Sequence, residues 1–294
     1  MKSGFIGVVG RPNVGKSTLI NSIVGKKVAI TSSKPGTTRN TIHGIYNDEE
    51  SQLIFVDTPG IHKPKHKLGD YLNKQAYYNI KDVDVVLFIV DASEALGTGD
   101  QFVLEKLKEA NKPVILVLNK VDKIRHEEIL KKIVEYKDLL DFAEIVPISA
   151  MKNDNIDALI KCLKKYVNDP YKYYEETDIS NKPMSFFISE IVREKVFYKT
   201  GEEVPHSVTC LTENIEKNNN NFVISVSIIV DRESLKKIII GQKGAKIKEI
   251  GKMAREELEV LLGKKVYLEL HVKTVKKWRD KEKHLQELGF REFD

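Results

Sequence analysis

Gly10, Gly15, Lys16 and Ser17 stand in the spacing GxxxxGKS, filled out by Arg11, Pro12, Asn13 and Val14. The stretch follows an apolar run at 5–9 and precedes a helical pattern at 16–24. Strand, glycine loop and helix form the setting in which successive backbone N–H groups curl around an anion. The helix adds its positive N-terminal end at the same point. A lysine placed like Lys16 reaches β- and γ-phosphates, and a hydroxyl placed like Ser17 ligates Mg2+. These residues predict a nucleoside triphosphate site with Mg2+ as its cofactor.

Two later stretches narrow the nucleotide. Asp57, Thr58, Pro59 and Gly60 end a strand pattern, with Ile61 directly after them. An aspartate there holds Mg2+ through water opposite Ser17, and the Gly60 N–H meets the γ-phosphate. Asn119, Lys120, Val121 and Asp122 end another strand. The Asp122 carboxylate offers two acceptors to the paired N1–H and exocyclic N–H groups of guanine, whereas adenine presents the opposite pattern. Sites built on such hydrogen bonds reject the wrong partner by about 10⁴-fold or more. Asn119 is expected to tie this loop to the phosphate loop, and the Lys120 stem to cover the base. Ser149, Ala150 and Met151 are expected to offer a backbone N–H to the guanine carbonyl. In the loop Gly36, Thr37, Thr38, Arg39, Thr38 rather than Thr37 is expected to complete the Mg2+ shell while the γ-phosphate is present. Its release after hydrolysis would free the loop. The conjunction predicts GTP as ligand and GDP as product.

The elements that must carry these loops alternate along 1–168. Strands are expected at 5–9, 41–46, 52–56, 85–90, 114–118 and 144–148, and helices at 16–24, 70–80, 100–110, 126–139 and 156–167. The continuously apolar runs 85–90 and 114–118 suit parallel strands buried on both faces. The short connection 47–51 predicts an antiparallel hairpin in an otherwise parallel sheet. The fold expected is α/β, with the ligand at the carboxyl ends of the strands.

Asn168, Asp169 and Pro170 end this unit, and the polar, tyrosine-rich stretch 169–183 reads as a linker. A second domain is expected over 184–275, followed by a tail of basic helix over 276–294. Its pattern is α-β-β-α-α-β, with strands at 207–215, 222–230 and 266–272 and helices at 234–240 and 245–262. The asparagine run 218–221 suits a hairpin turn. Gly241, Gln242, Lys243 and Gly244 join the last two helices. GxxG alone is uninformative, but residues 232–252 hold seven Lys or Arg against two acids. A glycine loop lets a nucleic-acid backbone approach closely, as in KH domains that clamp about four nucleotides of single-stranded RNA. The element order is similar to the type II KH domain, with Lys246 beside the loop and Ile238, Ile239, Ile240 and Ile247 expected along a groove for bases.

The chain has 294 residues, 41% hydrophobic and 31% charged, with a formal net charge of +5. That is the balance of a soluble globular protein of one or two domains. Its two cysteines, Cys162 and Cys210, lie far apart, which argues against structural zinc or a disulfide framework and for a reducing cytosol. No signal peptide is expected ahead of the first strand, and the apolar runs are too short to span a bilayer.

The five nucleotide segments, in this order, resemble those of the translation-factor-like GTPases. Ile61 stands where Ras-like proteins carry the glutamine that orients water, a replacement typical of the group that includes Era and the tRNA-modification GTPases. Turnover of about 10⁻⁴ to 10⁻² s⁻¹ is expected by analogy with unassisted GTPases. A GTPase domain followed by one type II KH domain is the arrangement of the Era family, and the resemblance spans nearly the whole chain. It includes Glu203, Val204, Pro205, His206 and Ser207, and the stretch from Trp278 to Gly289 and Phe290. The resemblance implies binding to the 3′ end of small-subunit ribosomal RNA and a role in small ribosomal subunit assembly, with GTP promoting the RNA-bound state. It also implies a catalytic set of Asn13, Lys16, Thr38 and Gly60, in which Asn13 would bind K+ in place of an arginine finger. A cytoplasmic monomer is expected. Two alternatives stay open: a GTPase acting on tRNA, or one held peripherally at the inner membrane surface by the basic C-terminal helix.

Overall fold

The computed structural model describes residues 1–32, 34, 37–59, 67–201 and 203–290, leaving aside the side chains of 75–80. They form two compact units. The first takes in 1–29, 38–59 and 69–181, and the second 182–290 with short pieces of 30–37 and 67–68.

In the first unit six strands lie in the order β2-β3-β1-β4-β5-β6. They are β1 (Lys2–Val9), β2 (Ile42–Asn47), β3 (Ser51–Asp57), β4 (Val85–Asp91), β5 (Val114–Asn119) and β6 (Glu144–Pro147). Only β2 runs antiparallel, paired with β3 as the short 47–51 connection demands. Every residue of β3, β4 and β5 is buried, which explains why these runs lack alternation. Among the described residues, helices α1 (Lys16–Val24), α2 (Lys67–Lys81), α3 (Thr98–Lys108) and α4 (His126–Tyr136) lie between the strands, and α5 (Ile156–Leu163) follows β6. Gly15 and Gly25, both left-handed, bound α1 where the sequence places them. Helices α4 and α5 stop short of the expected 139 and 167. The chain tightens there into i→i+3 bonds, Leu139 N–H to Tyr136 carbonyl and Tyr166 N–H to Leu163 carbonyl.

Residues 169–181 are tied to this sheet. Buried Gln52, on β3, needs partners for both ends of its amide. Its Oε1 accepts the N–H groups of Tyr173 (2.8 Å) and Tyr174 (3.0 Å), and its Nε2 donates to the Tyr174 carbonyl (2.8 Å). Ser3 and Asp169 exchange backbone bonds of 2.8 and 3.0 Å, and the Ile45 N–H reaches the Ile179 carbonyl at 3.0 Å.

The second unit has a three-stranded sheet, β7-β8-β9, made of β7 (Val208–Lys217), β8 (Asn221–Val230) and β9 (Lys265–Thr274). Strand β8 pairs antiparallel with β7 and parallel with β9. Around it lie α6 (Met184–Lys199), α7 (Glu203–Ser207), α8 (Glu233–Ile240) and α9 (Ala245–Leu262). Alternate residues Ile224, Val226, Ile228 and Val230 of β8 pack with Ile188, Val192 and Val196 of α6 and with Ile250, Ala254 and Leu258 of α9. Ser207, expected to open a strand, instead closes α7. In place of one basic C-terminal helix, the chain makes a 3-10 turn at Trp278–Asp280 and the short α10 (Glu282–Glu287). The cause is Trp278, fully buried, whose indole N–H reaches the Ser207 carbonyl at 3.0 Å. Phe290 stacks on the indole at 6.1 Å between centroids. Among the described residues no helix is long and apolar enough to cross a membrane.

Candidate nucleotide site and nucleic-acid groove

The phosphate loop leaves the carboxyl end of β1 and enters α1. Both of its glycines are required by close approaches. A Cβ on Gly10 would stand 2.3 Å from the Ile89 carbonyl oxygen. One on Gly15, at φ 103°, would stand 2.3 Å from Asn119 Nδ2. Val14 is buried in the core, Pro12 is half-buried, and Asn13 sits exposed at φ 66°. The Lys16 ammonium is buried and donates to the carbonyls of Gly10 (3.0 Å) and Arg11 (2.8 Å). Burial pushes its pKa down to about 8, against the pull of Asp57.

Three oxygen-bearing side chains converge in front of Lys16. The Ser17 hydroxyl donates to Asp57 Oδ2 at 2.8 Å and lies 3.2 Å from Thr38 Oγ1, which is 3.5 Å from the same carboxylate oxygen. Burial pushes the Asp57 carboxyl up to about 6, with Lys16 and the two hydroxyls opposing. Asp57 Oδ1 is buried without a hydrogen-bond partner among the described residues. Hard oxygens around a buried, under-satisfied carboxylate fit a divalent cation such as Mg2+. Next to it Thr58 donates to the Val8 carbonyl at 2.8 Å, fixing the end of β3 against β1. Pro59 follows as the last described residue before 67, and Gly60 and Ile61 lie outside the described residues.

The loop after β5 joins this cluster. Asn119 Nδ2 donates to the Val14 carbonyl (2.8 Å), and Lys120 Nζ bridges the Asn13 carbonyl (2.7 Å) and Asp91 Oδ2 (2.6 Å). Val121 and Asp122 belong to a 3-10 turn, Val121–Lys123, anchored by the Val121 N–H on the Ile148 carbonyl at 3.2 Å. The Ser149 hydroxyl donates to Asp122 Oδ1 at 2.5 Å, which holds the carboxylate beside the loop after β6. The Ala150 N–H donates to Asn119 Oδ1 at 3.0 Å and ties the loop after β6 to β5. Asp91 and Ser149 Oγ were not singled out in the sequence as partners of Lys120 and Asp122. Their roles depend on strand neighbours β4, β5 and β6, which only the sheet order brings together.

In the second unit, Gly241 (φ 72°), Lys243 (φ 49°) and Gly244 (φ 77°) take left-handed geometry around a 3-10 turn, Gln242–Gly244. A Cβ on Gly241 would stand 2.7 Å from Lys246 Cβ, so only glycine fits. Beside the turn lies an open groove of about 710 Å³, walled by Gly241, Gln242 and Lys246 together with Lys237, Ile238 and Lys199. Lys243 is exposed on the loop, outside the wall, and half-buried Ile247 also stays out of it. Of the isoleucine run, Ile238 faces the groove while Ile239 is buried in the core. The i and i+1 positions of one helix cannot share a face. Lys199, from α6, pairs with Glu249 at 2.9 Å across one wall. Its distance along the chain from the glycine loop hid it from sequence reasoning.

A six-stranded, mostly parallel sheet carrying a GxxxxGKS loop, joined to a three-stranded unit with a GxxG turn, defines a P-loop GTPase linked to a KH domain. Residues 5–120 match the family model described as 50S ribosome-binding GTPase, and 203–279 match that of the KH domain. The chain is 45% identical to a variant of Aquifex aeolicus Era crystallised with GDP·AlF4−, with 99% of each chain covered and a TM-score of 0.95. It is 44% identical, with the same coverage and TM-score, to Era crystallised with MgGDPNP and nucleotides 1506–1542 of 16S ribosomal RNA. The chain belongs to the Era family, and its first unit is a GTP-hydrolysing domain.

Proposed function

We propose that this protein is a GTP-controlled clamp for the single-stranded 3′ end of small-subunit ribosomal RNA, acting during assembly of that subunit. The observation that carries the reading is one chain holding both the Ser17, Thr38 and Asp57 oxygen cluster and a lysine-edged GxxG groove. The crystallised relatives, one holding GDP·AlF4− and one MgGDPNP with a ribosomal RNA fragment, support it.

Asp122 and Asn119 read guanine and brace its loop. Lys16, placed by the carbonyls of Gly10 and Arg11, meets the β- and γ-phosphates. Ser17, Thr38 and Asp57 would hold Mg2+, and the ion would supply positive charge against the charge that develops on the phosphates. Gly60 is assigned the N–H that meets the γ-phosphate. Ile61 offers no group to orient water, so turnover is slow without assistance. Asn13, exposed on the outer limb of the loop, is assigned to K+. The GxxG turn brings the RNA backbone close, while Lys246 and Lys243 meet phosphates and Ile238 meets bases.

The test is RNA binding by the full chain with a non-hydrolysable GTP analogue. A strand matching the 3′ end of small-subunit ribosomal RNA should bind at least ~10-fold tighter than a scrambled one. With about four phosphates contacted, log affinity should fall with log salt at a slope of about −3. Lys246→Glu should weaken binding while GTP hydrolysis persists. A slope near zero, or equal affinity for both strands, contradicts the reading.

A further inference from the structure

Four backbone carbonyls of the phosphate loop are held from beneath: Gly10 and Arg11 by Lys16, Asn13 by Lys120, and Val14 by Asn119. One side chain of the loop reaches the other way. Arg11 extends to the start of α3, where its Nε donates to Asp100 Oδ1 at 2.8 Å and its Nη2 to Glu94 Oε2 at 2.9 Å. The two acids are unequal. The Asp100 side chain is 0% exposed and that of Glu94 57%, so solvent screens the second pair far more than the first. Asp100 is also held from the other side, since its Oδ2 accepts the Gly97 N–H at 3.0 Å. The approach is built for this contact. A Cβ on Gly99 would stand 2.6 Å from Arg11 Cδ, and one on Gly97 would stand 3.1 Å from Arg11 Nη1. A buried carboxylate of this kind requires its cation, because removing one partner strands the other charge out of water.

We propose that the Arg11–Asp100 pair is a positioning strut that fixes the outer limb of the phosphate loop, Arg11 to Asn13, in the nucleotide-bound state. The strut rests on the assignment of Lys16 to phosphate. Lys16 also ties down the Arg11 carbonyl. An ammonium that must serve the β- and γ-phosphates as well holds that carbonyl less firmly, and the limb keeps Asp100 as its anchor. The strut therefore acts after binding, when the limb must keep its geometry through the transition state. Arg11 touches neither reactant in this scheme. It acts through the backbone of Pro12 and Asn13.

A double-mutant cycle on the full chain decides the matter: wild type, Arg11→Gln, Asp100→Asn and the double variant, with Arg11→Lys as the conservative replacement. Asp100→Asn keeps the oxygen that accepts the Gly97 N–H, and each protein is assayed well below its own melting temperature. At saturating GTP, kcat should fall about 10-fold in each single variant while GDP affinity changes less than about 3-fold. The double variant should be no slower than the worse single variant, because both remove one strut. Arg11→Lys keeps a cation for Asp100 but not the fork, so its kcat should fall less than that of Arg11→Gln. A kcat within twofold of wild type in both single variants overturns the proposal, as do losses that multiply in the double variant. A defect carried by GDP affinity with kcat unchanged overturns it too. Should the wild type hydrolyse ATP as readily as GTP, the guanine reading fails, and the cycle still decides the strut.

Discussion

Asn119 Nδ2 stands 2.8 Å from the carbonyl oxygen of Val14, while Oδ1 of the same side chain accepts the Ala150 N–H at 3.0 Å. One buried amide thus fastens the phosphate loop after β1 to the loops after β5 and β6. These are three segments far apart in the chain and adjacent only at the strand ends. Gly15 must lack a side chain because Asn119 occupies the space where its Cβ would sit.

Asn119→Ala leaves the Val14 carbonyl and the Ala150 N–H unsatisfied in a buried site. Each orphaned group costs about 1–3 kcal/mol, so affinity for GDP should fall about 10- to 100-fold. Titration with a fluorescent GDP analogue measures it. An affinity within twofold of wild type would show that the loops hold without the amide.

Monovalent cations test the assignment of Asn13. Replacing Na+ with K+ at constant ionic strength should raise the rate of GTP hydrolysis, by about 10-fold or more if the ion substitutes for an arginine finger. Asn13→Ala should abolish the difference while nucleotide affinity persists. Equal rates in the two salts would remove K+ from the account.

The hairpin between β2 and β3 carries a pH signature. Asp48 pairs with Lys164 at 2.7 Å and accepts the N–H groups of Glu50 and Ser51. Burial pushes its carboxyl up, but Lys164 and the backbone donors outweigh it and hold the pKa down to about 2. The unfolded value is about 3.9. A native pKa below the unfolded one gives stability that is full above about pH 4 and is lost as pH falls towards about 2. Asp48→Asn should therefore melt below wild type at pH 6, and the gap should close between pH 4 and pH 2. A gap that stays constant across that range contradicts the pair's contribution.

Local signals made much of this architecture legible. Helices α1 and α9 begin and end where the sequence predicts, because glycines in left-handed geometry bound both. The β2–β3 hairpin follows from a connection too short for a crossover. What escaped were relations between distant segments. Nothing near Gln52 announces that it will hold residues 173 and 174. The charge at Asp100 reads as an ordinary helix-start acid until Arg11 is found against it. The basic C-terminal stretch has helical spacing, yet burial of Trp278 under α7 breaks it into a turn and a short helix. Ile239 and Ile238 look alike in sequence, and only the packing of α8 sends one to the core and one to the groove.

If the guanine site governs the RNA groove, exchanging the nucleotide read by Asp122 must exchange the nucleotide that tightens RNA binding. Asp122→Asn replaces one acceptor with a donor, so the site should lose GTP and gain xanthosine triphosphate. Affinity for the ribosomal RNA 3′ strand is then measured in wild type and variant with non-hydrolysable analogues of each nucleotide. Wild type should tighten on RNA with the guanosine analogue alone, and the variant with the xanthosine analogue alone. RNA affinity that ignores the nucleotide in both proteins would contradict the account.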